Sequence, residues 1–138
     1  MELRDIVSGS RPVRIPSDAT VADALVAMAE SKTDFVIVDR TGIDDAYGII
    51  FRWDIVVGPI ADGETLSELP ALSCARKPVV VMHNLDLDVQ WVAKKMANEN
   101  VSKIMVFEGE HFLGSVSDID VLKAVALVGS DNGKKGGD

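Results

Sequence analysis

The feature that most constrains this chain is that it repeats itself. Residues 48–54 read GIIFRWD and residues 114–120 read GSVSDID, each opening on glycine and reaching aspartate at the seventh position. A strand that ends and gives way to a helix opening on a carboxylate is a common place to hold a polar ligand, and two copies in one chain indicate a duplicated module.

The duplication extends outward from those stretches. RPVRI (11–15) and KPVVV (77–81) each carry a basic residue, a proline and a short apolar run. Each reads as an edge strand, because proline is tolerated at a strand's first position. Val21, Ala24, Leu25 and Met28 then fall at helical spacing, as do Val89, Val92, Ala93, Met96 and Ala97, giving each half a helix with one apolar stripe. Thr20 and Asp88 stand at the N-cap positions, and Asp23 completes a box with Thr20. FVIV (35–38) and KIMVF (103–107) are buried strands, paired as hairpins with YGII (47–50) and HFLGSV (111–116), the first across the longer loop DRTGIDDA. Each half closes with a helix, over about 53–57 and about 118–128.

Between the halves, DGETLSELPALSCARK (62–77) holds TLSEL as a short helix, which we read as an echo of ELRDIV at the start of the chain. The sequence therefore divides into a first module over 1–63, a second over 64–129 and a flexible, Gly-rich tail over 130–138. At roughly 60 residues each, the modules have marginal cores in isolation and are expected to pack against one another.

Composition excludes several functions. Twenty-two acidic residues against 14 basic ones give a formal charge of −8, with no basic cluster to displace the counterions of a nucleic acid. No apolar run approaches the roughly 20 residues that span a bilayer, and the first residues lack a signal peptide's apolar core, so we expect a cytoplasmic protein without a membrane partner. The lone Cys74 has no CxxC or CxxH context, and His83 and His111 lack ligand spacing, so no metal site is expected. No Ser/His/Asp set and no GxxxxGK[ST] loop is visible, which argues against an enzyme.

The order of elements, with PVxV opening each module and G-x-x-[ST]-x-x-D closing it, resembles the tandem cystathionine-β-synthase (CBS) domain family, from Leu3 to about Val128. VSKIMVF followed by GSVSDIDVL matches the family pattern closely. TDFVIVD followed by GIIFRWDIV keeps the scaffold and loses polar positions, and the family's usual proline in the second strand is replaced by Ile37 and Met105. The resemblance implies a mixed α/β (α+β) fold of two β-α-β-β-α modules, packed sheet against sheet with pseudo-twofold symmetry, in a stand-alone CBS pair of the Bateman type. It also implies two clefts, a homodimer, and regulatory, energy-sensing binding of an adenosine-containing ligand: AMP, ADP, ATP or S-adenosylmethionine. No cofactor is required on this reading. A regulated protein partner is the remaining expectation.

The chemistry of such a ligand selects residues independently. A ribose presents vicinal hydroxyls that a fixed carboxylate accepts from, and a phosphate needs cations, hydroxyls or backbone N–H groups. Asp120 supplies the carboxylate and Ser117 a hydroxyl at the strand-to-helix turn, with Lys103 and Ser102 at the start of the neighbouring strand. By resemblance, adenine lies near Arg11, Pro16 and Thr33. The symmetry mate draws on Asp54, Lys77, Met82 and Val101, but Asp34, Phe35 and Phe51 stand where Ser102, Lys103 and Ser117 stand, so an anion should be repelled from this weaker second site. Two readings of Asp120 are open, ribose contact or charge stabilisation of its own helix. Lys103 is either a phosphate contact or a solvated strand end, and Trp53 either packs at an interface or stacks on adenine. The competing function is that of an assembly or partner-binding protein which keeps the fold and has lost the nucleotide.

Overall fold

The computed structural model describes residues 1–8 and 11–136, with side chains described as far as Leu127. It forms two compact units: Pro12–Val79, and Met1–Arg11 together with the chain from Val80 onward. The units do not follow the division near residue 64 suggested by the repeat, because the first residues dock on the second half and the linker docks on the first.

In the first-repeat unit, β1 (Arg14–Ile15) lies parallel to β2 (Phe35–Val38), which pairs antiparallel with β3 (Gly48–Phe51). α2 (Val21–Ser31) connects β1 to β2. It opens on the box foreseen in the sequence: the Asp23 N–H donates to Thr20 Oγ1 at 3.1 Å, and the Thr20 N–H donates to Asp23 Oδ2 at 2.9 Å. Val21, Ala24 and Met28 are buried with Ile15, Val36, Val38, Ile50 and Ile55. Leu25 of the expected stripe is instead exposed, so the buried face is narrower than the pattern suggests. α3 (Arg52–Ile55) follows β3 directly and runs into a π-type turn over Val56–Ile60.

The second-repeat unit has the same plan. β4 (Val81–Met82) lies parallel to β5 (Lys103–Glu108), β5 pairs antiparallel with β6 (His111–Ser117), and α4 (Val89–Glu99) connects β4 to β5. Asp88 caps α4 by accepting from the Gln90 N–H at 2.9 Å. Val89, Val92 and Met96 are buried, whereas Ala93 and Ala97 face outward. Both connecting helices end on a left-handed residue, Lys32 (φ 53°) and Asn100 (φ 54°), the conformation that terminates a helix and turns the chain into the next strand. α5 follows β6 at Asp118 and continues to Gly136, eight residues past the end expected at Val128. Of the segment expected to be a flexible tail, 137–138 lie outside the described residues.

Backbone pairing corrects the internal alignment. Val13 C=O accepts from Ile37 N–H, and Val80 C=O accepts from Met105 N–H, so Val13 corresponds to Val80 and Ile15 to Met82. The sequence alignment, which equated the two prolines, is one residue out of register at this point.

The short helix of the linker is also reassigned. α1 (Leu3–Ile6) docks through Leu3 N–H to Leu87 C=O (2.7 Å) and Val89 N–H to Met1 C=O (3.0 Å). The same two bonds recur as Ala71 N–H to Ala19 C=O (2.8 Å) and Val21 N–H to Leu69 C=O (2.9 Å). The counterpart of ELRDIV is therefore the 3₁₀ turn Ala71–Ser73, rather than the TLSEL turn at Leu66–Glu68. Leu3 is fully buried in the second-repeat core among Met82, Val92, Met96, Ile104, Val106 and Val116. This long-range docking transfers the start of the chain to the second-repeat unit.

Candidate functional site

The polar residues singled out at the end of the chain meet where β5 starts and β6 ends. Lys103 and Ser117 are directly opposite one another in the antiparallel ladder. Asp118 N–H donates to Ser102 C=O at 2.9 Å, which closes the junction between β6 and α5. In the first turn of α5, Asp120 Oδ2 accepts from Ser117 N–H at 2.8 Å and from Ser117 Oγ at 3.0 Å, and Asp120 N–H donates back to Ser117 Oγ at 3.4 Å. The reciprocal bonds form a capping box: they hold the carboxylate at a fixed place and satisfy helix-terminal donors. Lys103, Ser117 and Asp120 are all half-buried, and Ser102 is exposed.

Electrostatically the junction is mixed. Asp118 and Asp120 both stand in the first turn of α5, where the helix dipole favours negative charge. Asp118 Oδ1 also accepts from Ile119 N–H at 2.9 Å. Lys103 stands on the neighbouring strand, directly opposite Ser117.

The matching junction of the first repeat has the same backbone and different chemistry. Arg52 N–H donates to Asp34 C=O at 2.9 Å, the counterpart of the Asp118–Ser102 bond. Phe35 faces Phe51 at the ladder position held by Lys103 and Ser117 in the second repeat. Asp54 corresponds to Asp120, but it accepts from Arg76 Nε and Nη2, both at 3.1 Å. The Arg76 guanidinium lies 5.3 Å from the centre of the Phe51 ring. Phe35 is buried, and Trp53, next to Asp54, is 67% exposed.

The remaining candidates are divided between the two units. Arg11, at the edge of the second-repeat unit, is exposed, as is Pro16 in the turn before α2. Thr33 Oγ1 donates to Phe35 C=O at 3.2 Å at the start of β2. Of the weaker set, Lys77 Nζ is 2.8 Å from Asp45 Oδ1, and Met82 is packed in the second-repeat core. The register also makes Met82 the counterpart of Ile15 rather than of Pro16. Val101 packs against that same core. Cys74 is partly buried against the first-repeat core, and the His83 ring is tilted against Phe107 with ring centres 5.7 Å apart. Among the described residues, no three His, Cys, Asp or Glu side chains gather to hold a metal ion.

Sequence reasoning missed Arg76. Its counterpart is Ser8: Arg76 exchanges two backbone bonds with Ile49, at 2.8 and 2.9 Å, and Ser8 N–H donates to Ser115 C=O at 2.9 Å, while Ile49 and Ser115 share a ladder position. The signal was present in the SCARK stretch, but it is visible only once PALSCA rather than TLSEL is matched to the start of the chain.

The family model for the CBS domain matches residues 3–58 and 74–127, one match on each repeat. The chain belongs to the CBS domain family. Its mixed α/β architecture, with two three-stranded sheets, is that of a CBS pair. Among solved structures it is similar to a hexameric CBS-CP12 protein from bloom-forming cyanobacteria, with 33% identity and a TM-score of 0.77, covering 88% of this chain and 69% of that one. A CBS domain protein from Pyrobaculum aerophilum complexed with AMP is similar at 20% identity and a TM-score of 0.69, covering 92% of this chain and 99% of that one. The CBS domain of a bacterial CNNM/CorC family magnesium transporter in complex with ATP matches at 19% identity and a TM-score of 0.73, covering 91% and 87% of the two chains. The last two share the fold. No curated protein matches.

Proposed function

We propose that this CBS pair is a regulatory, non-catalytic module that binds an adenosine monophosphate-like ligand at the second repeat. The observation that carries this reading is the grouping of Lys103, Ser117 and Asp120 at one strand-to-helix junction, with Ser117 fixing the carboxylate. Asp120 accepts from the ribose diol, while Lys103 approaches the phosphate, with Ser102 nearby and the Ser117 hydroxyl joining it by turning its hydrogen away from Asp120 Oδ2. Arg11, in the same unit, is the candidate for the base. Solved relatives of the fold in complex with AMP and with ATP support the class of ligand, and the two carboxylates of α5 favour AMP over ATP. A ligand regulates only through different affinities for two arrangements of its protein, so binding and signalling are separate claims.

Titration calorimetry with AMP, ADP, ATP and S-adenosylmethionine tests the binding claim. AMP should give a saturable heat that is lost in Asp120→Ala. No heat with any of the four would remove the reading.

A second reading, assembly or partner binding, has its own support. Trp53, Val56, Val57 and Ile60 are all exposed along α3 and the π-type turn, an apolar stripe suited to protein contact. The 33%-identical CBS-CP12 neighbour is hexameric. A homodimer or a larger assembly is compatible with nucleotide sensing, and sedimentation of the purified chain with and without AMP distinguishes assembly alone from ligand-controlled assembly.

A further inference from the structure

We propose that Arg76 is a built-in occupant of the first repeat's carboxylate, standing in for a ligand diol and closing that repeat to nucleosides. The ligand class rests on the nucleotide reading above, and the occupancy itself rests on geometry within one compact unit. A ribose diol offers a carboxylate two donors side by side. The Arg76 guanidinium offers Asp54 the same arrangement, with Nε on Oδ2 and Nη2 on Oδ1, both at 3.1 Å. Because the donor is charged, this fork is stronger than a pair of neutral hydroxyls would be.

Two further contacts keep it in place, and the burial of Asp54 accords with them. The Arg76 backbone exchanges both its bonds with Ile49 in β3, so the root of the side chain is fixed against the same strand that carries Asp54's helix. The guanidinium lies over Phe51, a favourable position for a cation. The Asp54 side chain is only 22% exposed in this pair, while that of Arg76 is 55% exposed.

The second repeat provides the internal control. Serine stands at the Arg76 position there, as Ser8, and is too short to deliver such a fork. Among the described residues, the hydrogen bonds that Asp120 accepts come from Ser117, both on Oδ2. The two repeats thus differ in having a carboxylate engaged on both oxygens by an arginine and one held within its own helix cap.

Amide-resolved NMR titration with adenosine, which carries the diol without phosphate, tests this on the full chain. In the native protein, adenosine should leave the amides of Phe51, Trp53 and Asp54 unshifted. In Arg76→Ser, the same amides should shift saturably with at least tenfold tighter binding, and 2′-deoxyadenosine should fail to produce the shift. Arg76→Gln, which keeps a stem over Phe51 and loses the charged fork, should show the same gain if the serine variant is poorly folded. Saturable adenosine shifts at Asp54 in the native chain overturn the proposal, as does their absence from a folded Arg76 variant. Amides 117–120, read in the same spectra during AMP addition, report the second repeat separately. Shifts there without any gain at Asp54 retire the Arg76 role and keep the nucleotide reading, whereas a gain at Asp54 with silence at 117–120 does the reverse.

Discussion

Lys103 and Ser117 face each other across β5 and β6 at the ladder position where Phe35 faces Phe51 in the first repeat. Duplication has preserved the backbone and changed what stands on it, from a cation and a hydroxyl to a pair of aromatic rings. If Lys103 serves the phosphate, its removal should discriminate between ligands. Lys103→Ala should weaken AMP about tenfold or more, the scale of one hydrogen bond to a charged group, and leave adenosine affinity within twofold. Parallel calorimetric titrations with the two ligands check this. Equal losses for both would assign Lys103 a structural role.

Ser117 has a structural duty besides its proposed contact. It exchanges bonds with Asp120 at the start of α5, so Ser117→Ala should cost about 0.5–2 kcal/mol of folding stability through the lost cap. Chemical denaturation should show that loss in the absence of any nucleotide. Ser117→Thr should recover most of it.

The loop between β2 and β3 carries a pH-dependent tie. Lys77 pulls the Asp45 carboxyl well below its ordinary value of 3.8, helped by the Thr41 N–H, which donates to it at 2.9 Å. The folded-state value is lowered, so this contribution is complete above pH 3.8 and is lost as acid carries the pH below that point toward the folded-state value. In Asp45→Asn the contribution is absent throughout. The stability difference between the native chain and the variant should be constant from neutral pH down to about 4 and shrink below it, as measured by denaturant unfolding at stepped pH.

Docking of the chain's start depends on two positions. Leu3 is fully buried, and Leu3→Ala should cost about 2–5 kcal/mol through lost burial and the resulting cavity. Gly114 has φ 156°, and a Cβ there would collide with the backbone carbonyl of Ser8. Gly114→Ala should therefore displace the bridge between Ser8 and Ser115 and cost about 1–3 kcal/mol. Hydrogen exchange should show Ser8 losing protection in both variants, with the first-repeat unit unaffected.

What could be read from the sequence is what local physics encodes. The Thr20–Asp23 box, the cap at Asp88 and the two hairpins follow from residue type at short spacing, and all are present in the fold. Three features escaped because they depend on partners distant in the chain. The parallel pairing that sets Val13 against Ile37 shifts the proline alignment by one residue. The docking of Leu3 on Leu87 moves the first residues into the other unit, and the ion pair of Arg76 with Asp54 joins residues that no motif links. The narrow buried face of α2, which leaves Leu25 outside, is likewise a property of packing that hydrophobic periodicity does not resolve.

The most direct measurement is AMP titration of the native chain beside Asp120→Asn, an isosteric change that retains an oxygen for the helix cap, with both proteins first shown to melt at similar temperatures. The account predicts saturable binding of one AMP per native chain, weakened at least tenfold by the substitution. Two equivalent AMP molecules per chain, or a single one bound equally well by Asp120→Asn, would contradict it.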